Sequence, residues 1–439
     1  MRAAAAQRRV AHLADVTASP GPSADVSGAG SRGWDVPAGP VVVIGGMVLD
    51  VQASPGPGAS LLRGTTAPGT VRQNPGGVGR NIAEGLFHAS ARGAPPPFLL
   101  SAVGDDLAGG ALLEAWRKLG RVSTAGVRVR AGAATPAVAA VLDAGGEVAA
   151  AVADCDTVET SLDVSWIQAH AARIAAARVV VLDGNCAPAA LAAAVAAARA
   201  PNETRRRKKE DAPLVWFEPV SVAKAARVFE ASVAREVDVV SPNLAELRAM
   251  ARAARRAAPG GARPEKESES LSFTEKESEP PPAATAADAL ALARDDVDAL
   301  LDAGIGNVVV TLGALGLALC RRETRGEKEG DEAEGHARRG PTPLENASRG
   351  ERAPFTCTLV PALPSAGVRS LVGAGDALVA GSAAALAAGH DLTFAVAFGA
   401  AAARRAVETD ANVPSSGVSF AALAADARDA AAAATTTAM

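Results

Sequence analysis

The chain has 439 residues, 49% of them hydrophobic, and a formal net charge of −4. This length suffices for a substantial core, and the slightly acidic balance gives no indication of binding to nucleic acid or to an anionic membrane. The four cysteines form no CxxC or Cys/His cluster, so the sequence predicts free thiols in a reducing compartment and neither a zinc site nor a disulfide. They are Cys155, Cys186, Cys320 and Cys357.

Several stretches differ in composition from the rest. Residues 1–38 are rich in Ala and Arg and then in Gly, Ser and Pro, which predicts either a transit peptide or a disordered extension. They contain no apolar segment of the kind that directs secretion, so we expect a location in the cytoplasm, a plastid, a mitochondrion or a peroxisome. Three charged stretches are too polar to build a core and are predicted to be solvated loop insertions: residues 202–212, 258–283 and 321–353. The remainder predicts one domain over residues 39–424 and a disordered tail over 425–439.

Strand-like and helical segments alternate along this domain. PVVVIGGMVLD is a β-branched run typical of a buried strand, and GGVGRNIAEGLFHAS follows a glycine turn with helical spacing. ATPAVAAVLDAGGEVAAAVAD predicts a hairpin around DAGGE. The strand-like segments ARVVVLDG, PLVWFEPV, VDVVSPN and NVVVTLG follow. The alternation predicts an α/β fold with a mostly parallel sheet covered by helices on both faces, which binds ligands beyond the carboxyl ends of its strands.

The segment RSLVGAGDALVAG carries the strongest indication of a functional site. Gly373, Ala374 and Gly375 allow a tight turn before an apolar helix, whose first N–H groups and dipole favour an anion. Asp376 lies in the first helical turn. It is either a helix-capping acid or a general base that takes a proton from a substrate hydroxyl while the turn holds a phosphoryl group.

Two earlier segments also place polar side chains beside glycines. NPGGVGRN contains Gly76, Gly77 and Gly79, but it lacks the spacing of a GxGxxG motif, which argues against a nicotinamide-dependent oxidoreductase. Asn81 at the helix start is either a cap or a ligand of a sugar hydroxyl. Asp50 closes the first predicted strand, where its two oxygens can hold vicinal hydroxyls; a turn-forming aspartate is the alternative.

A resemblance to a known family follows from the order of these segments. GGMVLD, PGGVGRNIAEGL, SAVGDDLAGG, SPNLAEL, VVVTLGALGL and VGAGDALVAG occur in the order found in ribokinase-like (PfkB-type) sugar and nucleoside kinases, from residue 41 to about 424 outside the insertions. The resemblance implies a three-layer α/β/α domain with a mostly parallel central sheet. It also implies a small β lid that includes about residues 51–73 and 133–152.

Within the family, PGGVGRNIAE, FEPVSVAKAARV and VETDANVP most resemble the members that phosphorylate the 5′-hydroxyl of pseudouridine. Ribokinases usually carry a lysine where Val78 stands. The expected activity is therefore ATP-dependent phosphorylation of pseudouridine. The alternatives are another kinase of the family (ribokinase, adenosine kinase or fructokinase) and a non-catalytic nucleoside-binding or scaffold protein on the same fold.

The resemblance also implies a role for each matching residue. Asp376 would be the catalytic base, beside an anion hole formed by the backbone of Gly373, Ala374 and Gly375, and Glu246 would hold Mg²⁺ through water. The other implied contacts are to the sugar (Asp50, Gly76, Gly77 and Asn81), to the base (Asp154), to ATP (Asn243, Thr311, Gly313, Gly316, and Asn412 near the adenine) and to the phosphates (Lys224).

The implied cofactors and partners are small. ATP and Mg²⁺ are expected, whereas activation by K⁺ is not, because Ser370 and Val372 stand where the family often has an acid and a threonine. The expected ligand is a nucleoside or sugar, with no nucleic acid or membrane partner. A homodimer could form through the strands of the lid, as in other members of the family.

Overall fold

The computed structural model describes residues 39–61, 64–143, 148–202, 212–258, 283–322 and 354–439. The predicted extension over residues 1–38 and nearly all of the three predicted insertions lie outside these ranges. None of the described helices combines the length and the apolar character needed to cross a membrane.

The described residues form alternating strands and helices, with a strand-rich segment between residues 41 and 76. The strands are β1 (Val41–Ile44), β2 (Val48–Pro55), β3 (Gly69–Gly76), β4 (Phe98–Gly104), β5 (Val127–Arg130), β6 (Ala137–Leu142), β7 (Val148–Asp154), β8 (Val179–Asp183), β9 (Leu214–Glu218), β10 (Val239–Val240), β11 (Asn307–Thr311), β12 (Leu317–Arg322), β13 (Phe355–Val360) and β14 (Thr435–Ala438). The helices are α1 (Val78–Ala89), α2 (Leu107–Arg117), α3 (Asp156–Ser161), α4 (Val164–Ala169), α5 (Ala171–Ala176), α6 (Pro188–Arg199), α7 (Arg227–Glu230), α8 (Leu244–Ala257), α9 (Ala286–Asp302), α10 (Ala374–Ala387), α11 (Leu392–Val407) and α12 (Phe420–Ala432).

The central sheet has ten strands in the order β5, β4, β1, β8, β9, β10, β11, β12, β13, β14. Neighbouring strands are parallel from β5 to β11, and β12, β13 and β14 add an antiparallel edge. Strands β1, β4 and β8 are buried along their whole length, which explains why they consist mostly of valine, leucine and other apolar residues. The predicted mostly parallel sheet is confirmed.

Helices cover both faces of this sheet. Along β1, Val41 and Val43 face one apolar cluster together with α1, α2, α10, α11 and α12, whereas Val42 and Ile44 face a second cluster with α3 to α9. The alternation follows from the two-residue repeat of a strand. The three-layer α/β/α arrangement is therefore as predicted.

Four other strands of the domain form a second, smaller sheet, in the order β3, β2, β6, β7. Strands β6 and β7 pair antiparallel, as expected for the hairpin around DAGGE. One expectation was wrong: Asp50 does not close the first strand, because β1 ends at Ile44 and Asp50 is the third residue of β2. The glycines at 45 and 46 separate the two strands, so Asp50 belongs to the small sheet.

The structure differs from two further expectations. The predicted disordered tail is instead part of α12 and an edge strand, β14, which pairs with β13; Leu423, Ala427 and Ala430 of α12 are buried in the core. Cys320 and Cys357 form a disulfide rather than remaining free. The antiparallel register of β12 and β13 sets these two residues directly opposite each other, and the charged insertion between them hides that proximity in the sequence.

Candidate active site

The two glycine-bearing segments meet at one point of the structure. Nδ2 of Asn81, in the first turn of α1, donates a hydrogen bond to Oδ2 of Asp376, in the first turn of α10, over 2.8 Å. Helix α10 packs against α1, so two helix N-termini converge beside the ends of β1 and β8. The sequence predicted functional roles for both side chains, and the structure brings them into direct contact.

The turn before α10 uses glycine for a steric reason. Gly373 is the N-cap of α10 with φ of 79°, a left-handed conformation that favours glycine, and a Cβ atom there would overlap the carbonyl oxygen of Asn412. No side chain caps this helix, so Asp376 is not a capping acid. In the described part of the chain, the N–H groups of Gly375 and Asp376 have no acceptor, which leaves them available to an anion.

Asp376 has an unusual proton affinity for a carboxyl group. The pKa of Asp376 is raised to about 7, chiefly by burial and in addition by the carboxylates of Asp183 and Asp50, while the hydrogen bond from Asn81 and the charge of Arg80 lower it. A carboxyl group with a pKa near neutrality is well matched to accept a proton at physiological pH. The arrangement can therefore act as a general base next to an anion site.

Asp50 lies near this carboxylate on the small sheet. Nδ2 of Asn412 donates to Oδ2 of Asp50 over 2.8 Å and lies 3.2 Å from the carbonyl oxygen of Pro75. Burial raises the pKa of Asp50, and the hydrogen bond from Asn412 and the charge of Arg80 lower it. A Cβ atom on Gly76 would overlap the Asp50 carboxylate, which accounts for the first of the paired glycines.

Asn412 has a structural contact that the sequence did not predict. Its side chain donates to Asp50, the residue expected to hold the sugar, and its expected position near the adenine of ATP stays a prediction. Its backbone carbonyl also lies against Gly373. Asn412 thus connects the Asp50 carboxylate with the turn before α10, a juxtaposition of residues 362 positions apart.

The second of the paired glycines allows a close approach of two backbones. Gly77 precedes α1 with φ of 91°, and a Cβ atom on it would come within 2.5 Å of the carbonyl oxygen of Gly46. Any side chain at position 77 would therefore push α1 away from the link between β1 and β2.

Asp183 is a functional candidate that sequence reasoning missed. It ends β8, is fully buried, and accepts hydrogen bonds from the backbone N–H groups of Gly46 (2.8 Å), Gly79 (2.9 Å) and Asn185 (2.9 Å). Burial raises the pKa of Asp183, and the hydrogen bonds from Gly46 and Asn185 and the charge of Lys224 lower it. The available signal was VVVLDG, a carboxylate at the end of a buried strand, which is the position that the sequence analysis gave to Asp50.

Lys224 is linked to Asp183 through Asn185. Its Nζ donates to Oδ1 of Asn185 over 2.5 Å, and Nδ2 of Asn185 donates to Asp183 over 3.1 Å. The structure thus places Lys224 beside the carboxyl end of β8; its approach to phosphates stays a prediction. Asp154, the last residue of β7, is exposed opposite Ala137, and its contact with a nucleobase also stays a prediction.

The residues predicted for ATP lie at the ends of β10 and β11. Asn243 is the N-cap of α8 and forms a capping box with Glu246: Oδ1 of Asn243 accepts from the N–H of Glu246 (2.9 Å), and Oε2 of Glu246 accepts from the N–H of Asn243 (3.0 Å). Asn243 also bridges to Thr311. A tight turn with positive φ at Gly313 and Gly316 follows β11. The capping box gives Asn243 and Glu246 a structural role, and their contacts with phosphates stay predictions.

A second acidic cluster lies beside this helix start. Glu218, at the end of β9, is buried and accepts a hydrogen bond of 2.5 Å from Oγ of Ser241. Burial raises the pKa of Glu218 well above its ordinary value, and the charges of Glu246 and Asp376 add to this effect. Among the described residues, no group of three or more His, Cys, Asp and Glu side chains could hold a metal ion. The neighbouring carboxylates of Glu218 and Glu246 fit a Mg²⁺ ion whose other ligands are water and substrate phosphates.

Comparisons with known proteins relate this chain to one family of kinases. The model of the pfkB family of carbohydrate kinases matches residues 40–331 and 356–414. A pseudouridine kinase of Arabidopsis thaliana is 35% identical over 383 residues, which cover 85% of this chain and 92% of that protein. A pseudouridine kinase of Escherichia coli is 33% identical over 152 residues, which cover 35% of this chain and 46% of that protein.

Solved structures show the same fold. The ribokinase of Arabidopsis thaliana complexed with ribose and ATP aligns with a TM-score of 0.58 and 18% identity, over 89% of this chain and 99% of that one. A carbohydrate kinase from Agrobacterium tumefaciens aligns with a TM-score of 0.58 and 20% identity, over 91% and 99% of the two chains. The fold is therefore ribokinase-like, as predicted.

This chain belongs to the pfkB family of carbohydrate kinases. Members of the family are phosphotransferases that act on an alcohol group of a small sugar or nucleoside.

Proposed function

We propose that this chain is an ATP-dependent kinase that phosphorylates the 5′-hydroxyl of pseudouridine. The observation that carries the proposal is the 35% identity with the Arabidopsis thaliana pseudouridine kinase over 85% of this chain. The contact between Asn81 and Asp376 supports the chemistry, because it joins the two segments that distinguish the family.

The nucleoside would lie between the small sheet and the N-termini of α1 and α10. Asp50 would accept hydrogen bonds from the vicinal ribose hydroxyls, with its carboxylate held in place by Asn412. The 5′-hydroxyl would then lie at Asp376. The small sheet would exclude water from this site, which limits wasteful hydrolysis of ATP.

The reaction would proceed by one phosphoryl transfer. Asp376 accepts the proton of the 5′-hydroxyl as its oxygen forms a bond to the γ-phosphorus of ATP, and the bond from that phosphorus to the β–γ bridging oxygen breaks to release ADP. The N–H groups at the start of α10 would stabilise the charge on the transferring group. Mg²⁺, held through water by Glu246, would neutralise charge on the phosphates.

The test is a coupled assay of ADP release with pseudouridine, uridine, ribose and adenosine as alternative acceptors. We expect pseudouridine to give the highest kcat/KM. Equal turnover of ribose would contradict the assignment of the substrate while leaving the kinase class in place. Absence of turnover with every acceptor would support a binding or scaffold protein instead.

The variant Asp376→Asn tests the role of the base. It should bind pseudouridine with nearly unchanged affinity and lose turnover by a factor of about 10² to 10⁴, because a side chain that accepts a proton is replaced by one that does not. Calorimetric titration with pseudouridine and the ADP assay measure the two quantities separately. Turnover close to that of the wild type would rule out the base assignment.

A further inference from the structure

Arg80 is a buried cation at the centre of the site. Its Nη1 donates to the carbonyl oxygen of Pro75 (2.9 Å) and to Oδ1 of Asn81 (3.0 Å), and its Nη2 pairs with the carboxylate of Glu84. The pKa of Arg80 is lowered to about 10, chiefly by burial, while the charges of Asp50 and Asp376 raise it. With a pKa of about 10 the guanidinium stays charged at neutral pH, so its charge acts on both carboxylates.

The bond from Arg80 decides the orientation of the Asn81 amide. Oδ1 of Asn81 accepts from Arg80, and Nδ2 of Asn81 donates to Asp376. If the amide were turned around, its NH₂ group would face the guanidinium and its oxygen would face the carboxylate. A donor would then face a donor, and an acceptor would face an acceptor. A cation on one side and an anion on the other therefore fix this amide in one orientation.

The same guanidinium connects the two carboxylates through a continuous set of contacts. Asn412 donates to Asp50 and lies within hydrogen-bond distance of the Pro75 carbonyl, to which Arg80 also donates. From Arg80 the contacts continue through Asn81 to Asp376. The expected sugar-binding carboxylate and the expected base are thus positioned by one shared cation.

Most of the charges that act on Asp376 are negative. Asp50 faces it from β2, Asp183 from β8 and Glu218 from β9. Arg80, on α1, is the cation among the groups that shift its pKa. Loss of this charge would remove the cation that opposes the carboxylates in shifting the pKa of Asp376.

We propose that Arg80 is a positioning residue for phosphoryl transfer: it orients the Asn81 amide toward Asp376, and its charge keeps the Asp376 carboxylate in the ionised form that accepts a proton. The inference deepens the proposed function and rests on it, because it assigns Asp376 the role of base. Arg80 acts on the reaction through Asn81 and through its charge, without itself touching the substrate.

The test is the pH dependence of kcat with pseudouridine and ATP for the wild type and three variants. Arg80→Gln retains hydrogen-bonding capacity but carries no charge. The acid limb of its profile, where kcat falls as Asp376 becomes protonated, should therefore shift to higher pH by about one unit. In Arg80→Lys the charge remains, and the limb should stay close to that of the wild type. The matched control Glu84→Gln removes the anionic partner of Arg80 and keeps Arg80 itself. The acid limb of its profile should therefore lie at the same pH as in the wild type or at a lower pH.

A second measurement makes the result independent of turnover. Titration of protein labelled with ¹³C at the aspartate carboxyls, with the Asp376 signal identified by its loss in Asp376→Asn, should show the same upward displacement in Arg80→Gln. Absence of turnover in the wild type would defeat the proposed function, whereas the titration would still decide the role of Arg80. The inference is overturned if Arg80→Gln titrates like the wild type, or if Arg80→Lys moves as far as Arg80→Gln. Arg80→Met serves as the neutral variant if Arg80→Gln does not fold.

Discussion

Replacement of Asp376 by asparagine should stabilise the fold while it removes activity. Burial raises the pKa of this carboxyl group from 3.8 to about 7, so the folded state binds a proton more tightly than the unfolded chain does. Stability is then greatest when the group is protonated in both states, below about pH 4, and falls as the pH rises through 7. At pH 8 the ionised carboxylate costs about 4 kcal/mol, at 1.36 kcal/mol for each pH unit.

The expected effect is smaller than this limit because Asp376 is only half-buried in the structure. Solvent screening reduces the cost to about 2 kcal/mol. Asparagine carries no charge and can still accept from Asn81 through its oxygen, so Asp376→Asn should raise the free energy of unfolding by about 2 kcal/mol at pH 8. The gain should shrink to about half that value at pH 5.5, where the wild-type carboxyl is already largely protonated in the folded state.

Urea unfolding of both proteins at pH 5.5 and pH 8, followed by circular dichroism, measures this difference. Asp156→Asn removes one charge at an exposed position of α3 and controls for the change in net charge. A gain that does not depend on pH, or a loss of stability at pH 8, would show that the Asp376 carboxylate is not destabilised by its surroundings.

Three further predictions concern two contacts of the site and the disulfide of the central sheet. Asp183→Ala should lower the free energy of unfolding by about 3 kcal/mol, because the N–H groups of Gly46 and Gly79 lose their acceptor; an unchanged urea midpoint would contradict this. Asn412→Ala should raise KM for pseudouridine by about 5- to 30-fold with little change in kcat, since Asp50 loses its donor, and steady-state kinetics would refute it if only kcat fell. Reduction of the disulfide between Cys320 and Cys357 should lower the free energy of unfolding by about 3–4 kcal/mol. An equal melting temperature with and without dithiothreitol would argue against this.

Much of the fold could be predicted because its signals are local. The buried strands β1 and β8 are runs of apolar residues, and the alternation of such runs with Ala-rich helical segments leads directly to a mostly parallel sheet between helices. The C-terminal helix and strand were not predicted, because alanine-rich and threonine-rich segments gain their stability from the surfaces on which they pack.

The chemistry of the candidate site was predictable only where a short motif contained it. Asp376 and Asn81 stand beside glycines that a tight turn and a close backbone approach require, so each could be assigned a functional role from its own neighbourhood. Arg80 lies inside one of those motifs and was passed over, because nothing local distinguishes a buried arginine from an exposed one on a helix.

Local sequence was enough to identify the segments that build the sheet, the helices and the two glycine turns, since backbone conformation and apolar periodicity depend on near neighbours. The contacts between distant residues appear only in the folded structure: Asp183 accepts hydrogen bonds from the N–H groups of Gly46 and Gly79, Asn412 donates to Asp50, and Arg80 lies between two carboxylates. These relations depend on distances between residues far apart in the chain and on burial, which sets the strength of a charge. Neither quantity is defined until the strands have taken their order in the sheet.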